Sequence, residues 1–119
     1  MFVAALSGVR LASDGGGEHI DPRADDVLAT TDTLREGRYL VRVTLTATVL
    51  DDSKALFVVR RRNAADDDTV ESAVVAVPVD DCRQYDFAFG TDEGELISVT
   101  PYTDMIGIVM VAINYQRMT

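Results

Sequence analysis

The sequence predicts an all-β protein, an antiparallel jelly-roll β-sandwich with an extended N-terminal segment. Three observations predict it. Residues 37–50 alternate apolar and mostly polar side chains throughout, a period of two that only a strand sorts onto separate faces. Further β-branched and aromatic runs follow, separated by turn-forming residues at intervals of about 8 to 14 residues. Almost nowhere do apolar residues recur with a helical period.

Taken in order, the elements begin with Phe2 to Leu11, which reads as one strand or an arm. Ser13 to Gly17 and His19 to Arg23 carry turn and loop chemistry, with Gly15-Gly16-Gly17 as a flexible bend. Ala24 to Leu34 stays open between a short helix and irregular chain. Gly37 to Leu50 is a long strand with Tyr39, Val41, Val43, Leu45, Ala47 and Val49 on its apolar face. Asp51, Asp52 and Ser53 turn the chain, because short polar side chains bond their own backbone. A second strand starts near Ala55 and ends in Arg60-Arg61-Arg62, followed by an acidic loop from Asn63 to Asp68. Val70 to Val79 is a third, and Pro78, which has no N–H to donate, belongs at its end or on a sheet edge.

Asp80 and Asp81 end that run, and Tyr85, Phe87 and Phe89 then place three rings on one face of a short strand, a face that is core or interface. Gly90 to Gly94 is a loop, Glu95 to Thr100 a strand, Pro101 to Asp104 a turn, and Met105 to Arg117 a closing strand. The middle of that last strand, Ile106 to Ile113, is apolar on both faces. Such a strand is covered on both sides, inside the sandwich or by another subunit. The domain reading is an arm or first strand plus loop over residues 1–36 and the sandwich over 37–119, within one domain overall.

Composition excludes several function classes. Twenty acidic against eleven basic residues leave a net charge of -9, and such a surface repels the phosphate backbone of nucleic acid. No apolar run approaches the roughly 18 to 20 residues of a membrane span, and Met1 to Arg10 lacks the pattern of a signal peptide, so the expectation is a soluble, unexported chain without nucleic-acid or membrane partners. With one histidine, His19, and one cysteine, Cys82, the chain lacks the ligand set of a transition-metal site. A nucleophile needs a base beside it, and nothing places His19 next to Cys82 or a serine. No catalytic residue, cofactor or metal is therefore expected. The acidic runs Asp51-Asp52, Asp66-Asp67-Asp68, Asp80-Asp81 and Asp92-Glu93 with Glu95 offer oxygen ligands for calcium but lack EF-hand spacing, and solvated loops are the simpler reading. Ten of the eleven basic residues are arginine, whose planar fork suits interfaces. In a strand, Arg60 and Arg62 share one face while Arg61 takes the other.

Gly37-Arg38-Tyr39-Leu40-Val41-Arg42-Val43 resembles the glycine-aromatic strand entry of the C1q and tumour-necrosis-factor-like family. Glu93-Gly94-Glu95-Leu96-Ile97-Ser98-Val99 is similar to that family's entry into its penultimate strand, with Glu95 where the family has aspartate, and Gly107 to Tyr115 fits its closing strand. The resemblance implies a compact trimer that packs apolar faces around a threefold axis. In size and texture the chain also resembles bacteriophage capsid decoration (cement) proteins. That likeness implies a non-enzymatic structural protein of the virion, whose partners are two further copies of itself and the major capsid protein. The interface residues expected on this reading are Phe2, Val3 and Leu6 in the arm, Arg60 and Arg62, Tyr85, Phe87 and Phe89, and Ile108 and Met110. The alternatives are a receptor- or glycan-binding head of a phage tail fibre, for which Tyr102 is the best placed aromatic, and a C1q-like trimeric binding module.

Overall fold

A computed structural model describes residues 17–24, 26–50 and 54–118. They form eight strands and no helix: β1 (Gly17–Ile20), β2 (Ala29–Thr30), β3 (Gly37–Leu50), β4 (Lys54–Arg62), β5 (Thr69–Pro78), β6 (Asp81–Thr91), β7 (Leu96–Pro101) and β8 (Gly107–Arg117). Two antiparallel sheets hold them in the orders β1-β8-β3-β6 and β2-β7-β4-β5. The pairs β1 with β8, β2 with β7, β3 with β6 and β4 with β5 nest inside one another. That nesting is a long hairpin rolled into a sandwich, the jelly roll.

The period of two in β3 does what the sequence requires of it. Val41, Val43, Leu45 and Ala47 are wholly buried between the sheets, as are Val109, Val111 and Ile113 of β8 beside them. Facing them are Phe57 and Val59 of β4, Val75 and Val77 of β5, and Ile97 and Val99 of β7. Each valine, leucine, isoleucine or phenylalanine among them contributes about 1.5 to 3 kcal/mol by leaving water.

Several expectations are corrected. Gly17–Ile20, read as the end of a bend and the start of a loop, is strand β1, paired from Gly17 with Val111 to Ile20 with Ile108. Its Gly-Glu-His-Ile sequence has no strand alternation; β8 captures it through backbone hydrogen bonds at an otherwise open edge, and such context overrides propensity. Gly17 takes a φ of +102°, a conformation that favours glycine. The segment left open between helix and irregular chain contains only the two-residue β2, with Leu28 and Leu34 buried in the core on either side of it. The sandwich therefore begins before Gly37, by Gly17 among the described residues. Strand β6 has 11 residues, running from Asp81 to Thr91, longer than its three rings suggest because β3 pairs with it along its whole length. The turn before it is closed by Asp80 at a φ of +60°. Pro78 ends β5, which is an edge strand.

The aromatic face of β6 is core. Phe89 is buried, Phe87 lies 5.8 Å from it ring to ring, and Tyr85 packs on the core while donating its hydroxyl to the Ala76 carbonyl of the opposite sheet at 2.7 Å. Phe89 is part of the core, and Tyr85 and Phe87 are half-buried against it.

Candidate functional site: the outer faces of the two sheets

Alternation decides which side chains of each strand look outward. On the β1-β8-β3-β6 sheet the outward set includes Ile20, Ile108, Met110 and Ala112, with Thr44 and Thr46 on β3 beside them. Met110 is 43% and the neighbouring Ile20 of β1 68% exposed, while Ile108 and Ala112 are half-buried, so the second apolar face of β8 is partly uncovered among the described residues. A shallow depression of about 170 Å³ runs between Gly17, Thr44, Thr46, Met110 and Ala112.

Across this face Arg42 of β3 clasps Asp86 of β6 with both arms of its fork, Nε to Oδ1 at 2.9 Å and Nη2 to Oδ2 at 3.1 Å. That hydrogen bond holds the Asp86 carboxyl below, and the Arg42 guanidinium above, its ordinary value. A lowered carboxyl pKa stabilises the fold above the unfolded pKa, and the contribution fades as the pH falls through the folded one. Since the Asp86 side chain is 41% exposed, solvent screening keeps it below about 1 kcal/mol. Asp86→Asn should cost this little at neutral pH, and urea unfolding curves of variant and wild type should converge in acid.

The outer face of the β2-β7-β4-β5 sheet carries a polar row beside an apolar one, in which Val58 pairs with the exposed Val74. Thr30, Ser98, Arg60 and Ser72 form one row across its four strands. A groove of about 360 Å³ lies over this row, bordered by Ala24 and Val27 on one side and by Arg62, Asp66 and Leu96 on another, with Thr100 in its lining. Arg62 is engaged: Nε donates to Asp66 Oδ1 at 3.0 Å, Nη2 to the Asp66 carbonyl at 3.0 Å and Nη1 to Thr69 Oγ1 at 2.9 Å. Arg60 has no ion pair among the described residues, and its Nε and the Thr100 hydroxyl are shut from water without a hydrogen-bond partner. Leaving such groups unmatched costs about 1 to 3 kcal/mol each.

Arg61 points the other way, into the end of the sandwich. Its Nη1 donates to Glu95 Oε1 at 2.9 Å and to the Gly90 carbonyl at 2.8 Å, and its Nε lies 3.0 Å from Glu71 Oε1. Glu95 is 4% exposed and also accepts from the Asp92 amide at 2.8 Å. Sequence reading separated Arg61 from its neighbours by face but did not find Glu95 as its partner, because the two are 34 residues apart.

Most described acidic residues of these runs act within their own loops, whereas Glu93 accepts from the Glu36 amide at 3.1 Å. Besides Asp66, Asp67 Oδ1 accepts from Asn63 at 2.7 Å and Asp68 Oδ1 from the Thr69 amide at 2.9 Å. Asp81 accepts from Arg83 and from the Cys82 amide, which hold its carboxyl below the ordinary value. Among the described residues no three His, Cys, Asp or Glu side chains gather to hold a metal ion. Cys82 faces outward on β6 and is exposed, whereas His19 lies on β1 at the opposite edge of the same sheet. Three strand spacings, about 14 Å, separate those edges, so the two do not form a nucleophile-base pair. Phe2, Val3, Leu6 and the Asp51-Asp52 turn lie outside the described residues.

No family model matches the chain, and no curated protein matches it. Solved structures do. The chain is similar to the Eiger tumour necrosis factor of S. frugiperda, at 12% identity and a TM-score of 0.62 over 92% of this chain and 90% of that one. It is equally similar to the C-terminal family 22 carbohydrate-binding module of Clostridium thermocellum xylanase 10B, at 9% identity and 0.62 over 91% and 80%. The globular domain of zebrafish complement 1qA aligns at 8% identity and 0.50 over 92% and 94%. Of a longer fragment of the same xylanase, with its CBM22-1 and GH10 modules, the chain spans 24%. The chain has the jelly-roll fold of these domains. At such identities the likeness concerns the backbone path alone.

Proposed function

We propose that the chain is a non-enzymatic binding module that works as a homotrimer, with the outer face of the β1-β8-β3-β6 sheet as the contact between copies. One observation carries this reading: the exposed Ile20 and Met110 and the half-buried Ile108 lie together on the outer face of this sheet, with Glu18 opposite Met110. Exposed apolar patches of this kind mark association surfaces, and closed symmetry buries the same patch on every subunit. The fold shared with tumour-necrosis-factor and C1q domains supports a trimer over a dimer.

The finer reading is capsid decoration. A trimer on a threefold position offers three equivalent contacts to the major capsid protein, and linked contacts clamp a shell far more strongly than any one of them. Size, acidic charge and the absence of a catalytic constellation among the described residues support that role. A tail-fibre head or C1q-like module would share the trimer but bind glycan or receptor through loops such as that of Tyr102, which is exposed.

Light scattering tests the trimer. The chain should have three times its 13.0 kDa mass, and Met110→Glu should yield a monomer with an unchanged β-sheet circular-dichroism spectrum, since it puts three charges in the contact. A wild-type monomer at micromolar concentration would refute the trimer. Co-sedimentation with undecorated capsids then separates cement from fibre head, which should bind cells or glycans instead.

A further inference from the structure

We propose that the groove on the outer face of the β2-β7-β4-β5 sheet binds a small hydroxylated monocarboxylate, a sugar acid by chemical class, with Arg60 receiving the carboxylate. The inference does not depend on the trimer, whose contact lies on the opposite sheet.

The charge of the groove selects the ligand. Among the described residues its lining holds Arg60, Arg62 and Asp66 as the ionised side chains, and Arg62 and Asp66 neutralise each other. One positive charge is left on a chain whose net charge is -9. A single uncompensated guanidinium matches one carboxylate, and its planar fork is shaped for two parallel bonds to it. A phosphate dianion would bring a second charge that the groove does not balance.

The unmatched donors and acceptors point the same way. Arg60 Nε and Thr100 Oγ1 are both buried without partners, and Thr30, Ser98 and Thr100 put three hydroxyls around the guanidinium. Thr30 already donates to the Ile97 carbonyl at 3.3 Å, so it meets a ligand as an acceptor. The carboxylate of the ligand is an acceptor for the Arg60 guanidinium, and its hydroxyls pair with the Thr30, Ser98 and Thr100 oxygens, which a plain carboxylate leaves without donors. At about 360 Å³ the groove lies in the size range of small-molecule sites. Val27 and Leu96 provide apolar walls but no aromatic platform, so recognition rests on the charge and not on ring stacking.

Amide NMR spectra of the full chain, titrated with D-glucuronate, L-glutamate, D-glucose and inorganic phosphate, test the proposal. Glucuronate should shift the amides of Arg60, Ser98 and Thr100 and leave those of Thr44 and Met110 in place. Glutamate should bind more weakly and glucose should not bind. Arg60→Gln should weaken glucuronate binding about tenfold or more, the loss of a charge-assisted bidentate contact. Arg60→Lys, which keeps the charge and loses the fork, should fall between, and Thr100→Val should also weaken binding with the fold intact. Absence of glucuronate binding at tens of millimolar, or binding that survives Arg60→Gln, would overturn the site. Phosphate binding more tightly than glucuronate would overturn the choice of a monocarboxylate, and glutamate binding as tightly would overturn the sugar acid.

Discussion

Arg61→Ala is expected to lower the unfolding free energy by about 3 to 5 kcal/mol, the range for breaking a buried ion pair from one side. The arginine side chain is 17% and that of Glu95 6% exposed, so the carboxylate left behind stays out of water with only the Asp92 amide as donor. The Gly90 carbonyl loses its guanidinium as well. Because Arg61 belongs to one sheet and Gly90 to the other, the substitution also removes a tie between them at the end of the sandwich. Glu71→Gln is the control: its side chain is half exposed, and removing its charge should cost less than about 1 kcal/mol. Urea unfolding of the three proteins decides the matter. A loss below that of the control in Arg61→Ala would show that the cluster contributes nothing net to stability.

Deletion of residues 1–36 should abolish the folded state, while deletion of residues 1–16 should leave every described strand in place. The longer deletion removes β1 and β2 and exposes the edges of β8 and β7 they cover. It also removes Leu28 and Leu34, at 1% and 5% exposure, whose burial alone is worth roughly 3 to 6 kcal/mol. A domain of this size has a net stability of about 5 to 15 kcal/mol, so the loss approaches the whole. Circular dichroism and thermal melts of both truncations give the answer. A cooperative, unshifted melt of residues 37–119 would mean that the two short strands are accessories. The shorter truncation also tests the capsid-binding arm: if it folds, forms trimers and no longer binds capsids, the contact lies among Phe2, Val3, Leu6 and their neighbours.

Much of the sandwich was legible because burial writes itself into long strands. β3 carries apolar side chains at every second residue from Tyr39 to Val49, and β8 from Val109 to Tyr115, with shorter runs in β4 and β5, and no other conformation gives that pattern one apolar face. The division of the arginine triplet followed from the same geometry. β1 and β2 were illegible for the converse reason. Four and two residues are too few to show a period, and both are held by bonds to strands about seventy or more residues away.

The sequence by itself determined the class of the fold, the positions of the long strands and the face on which each side chain stands, because alternation is a local property of the chain. Only the tertiary structure decided what each face meets. It turned Tyr85, Phe87 and Phe89 toward the core and left Met110 outside, since strand order, which depends on contacts between distant residues, sets which face of a sheet is covered. The partnership of Arg61 with Glu95 and the isolation of Arg60 over Ser98 and Thr100 arise in the same way. Each rests on the distance between residues far apart in the chain, a quantity that side-chain period and composition do not encode.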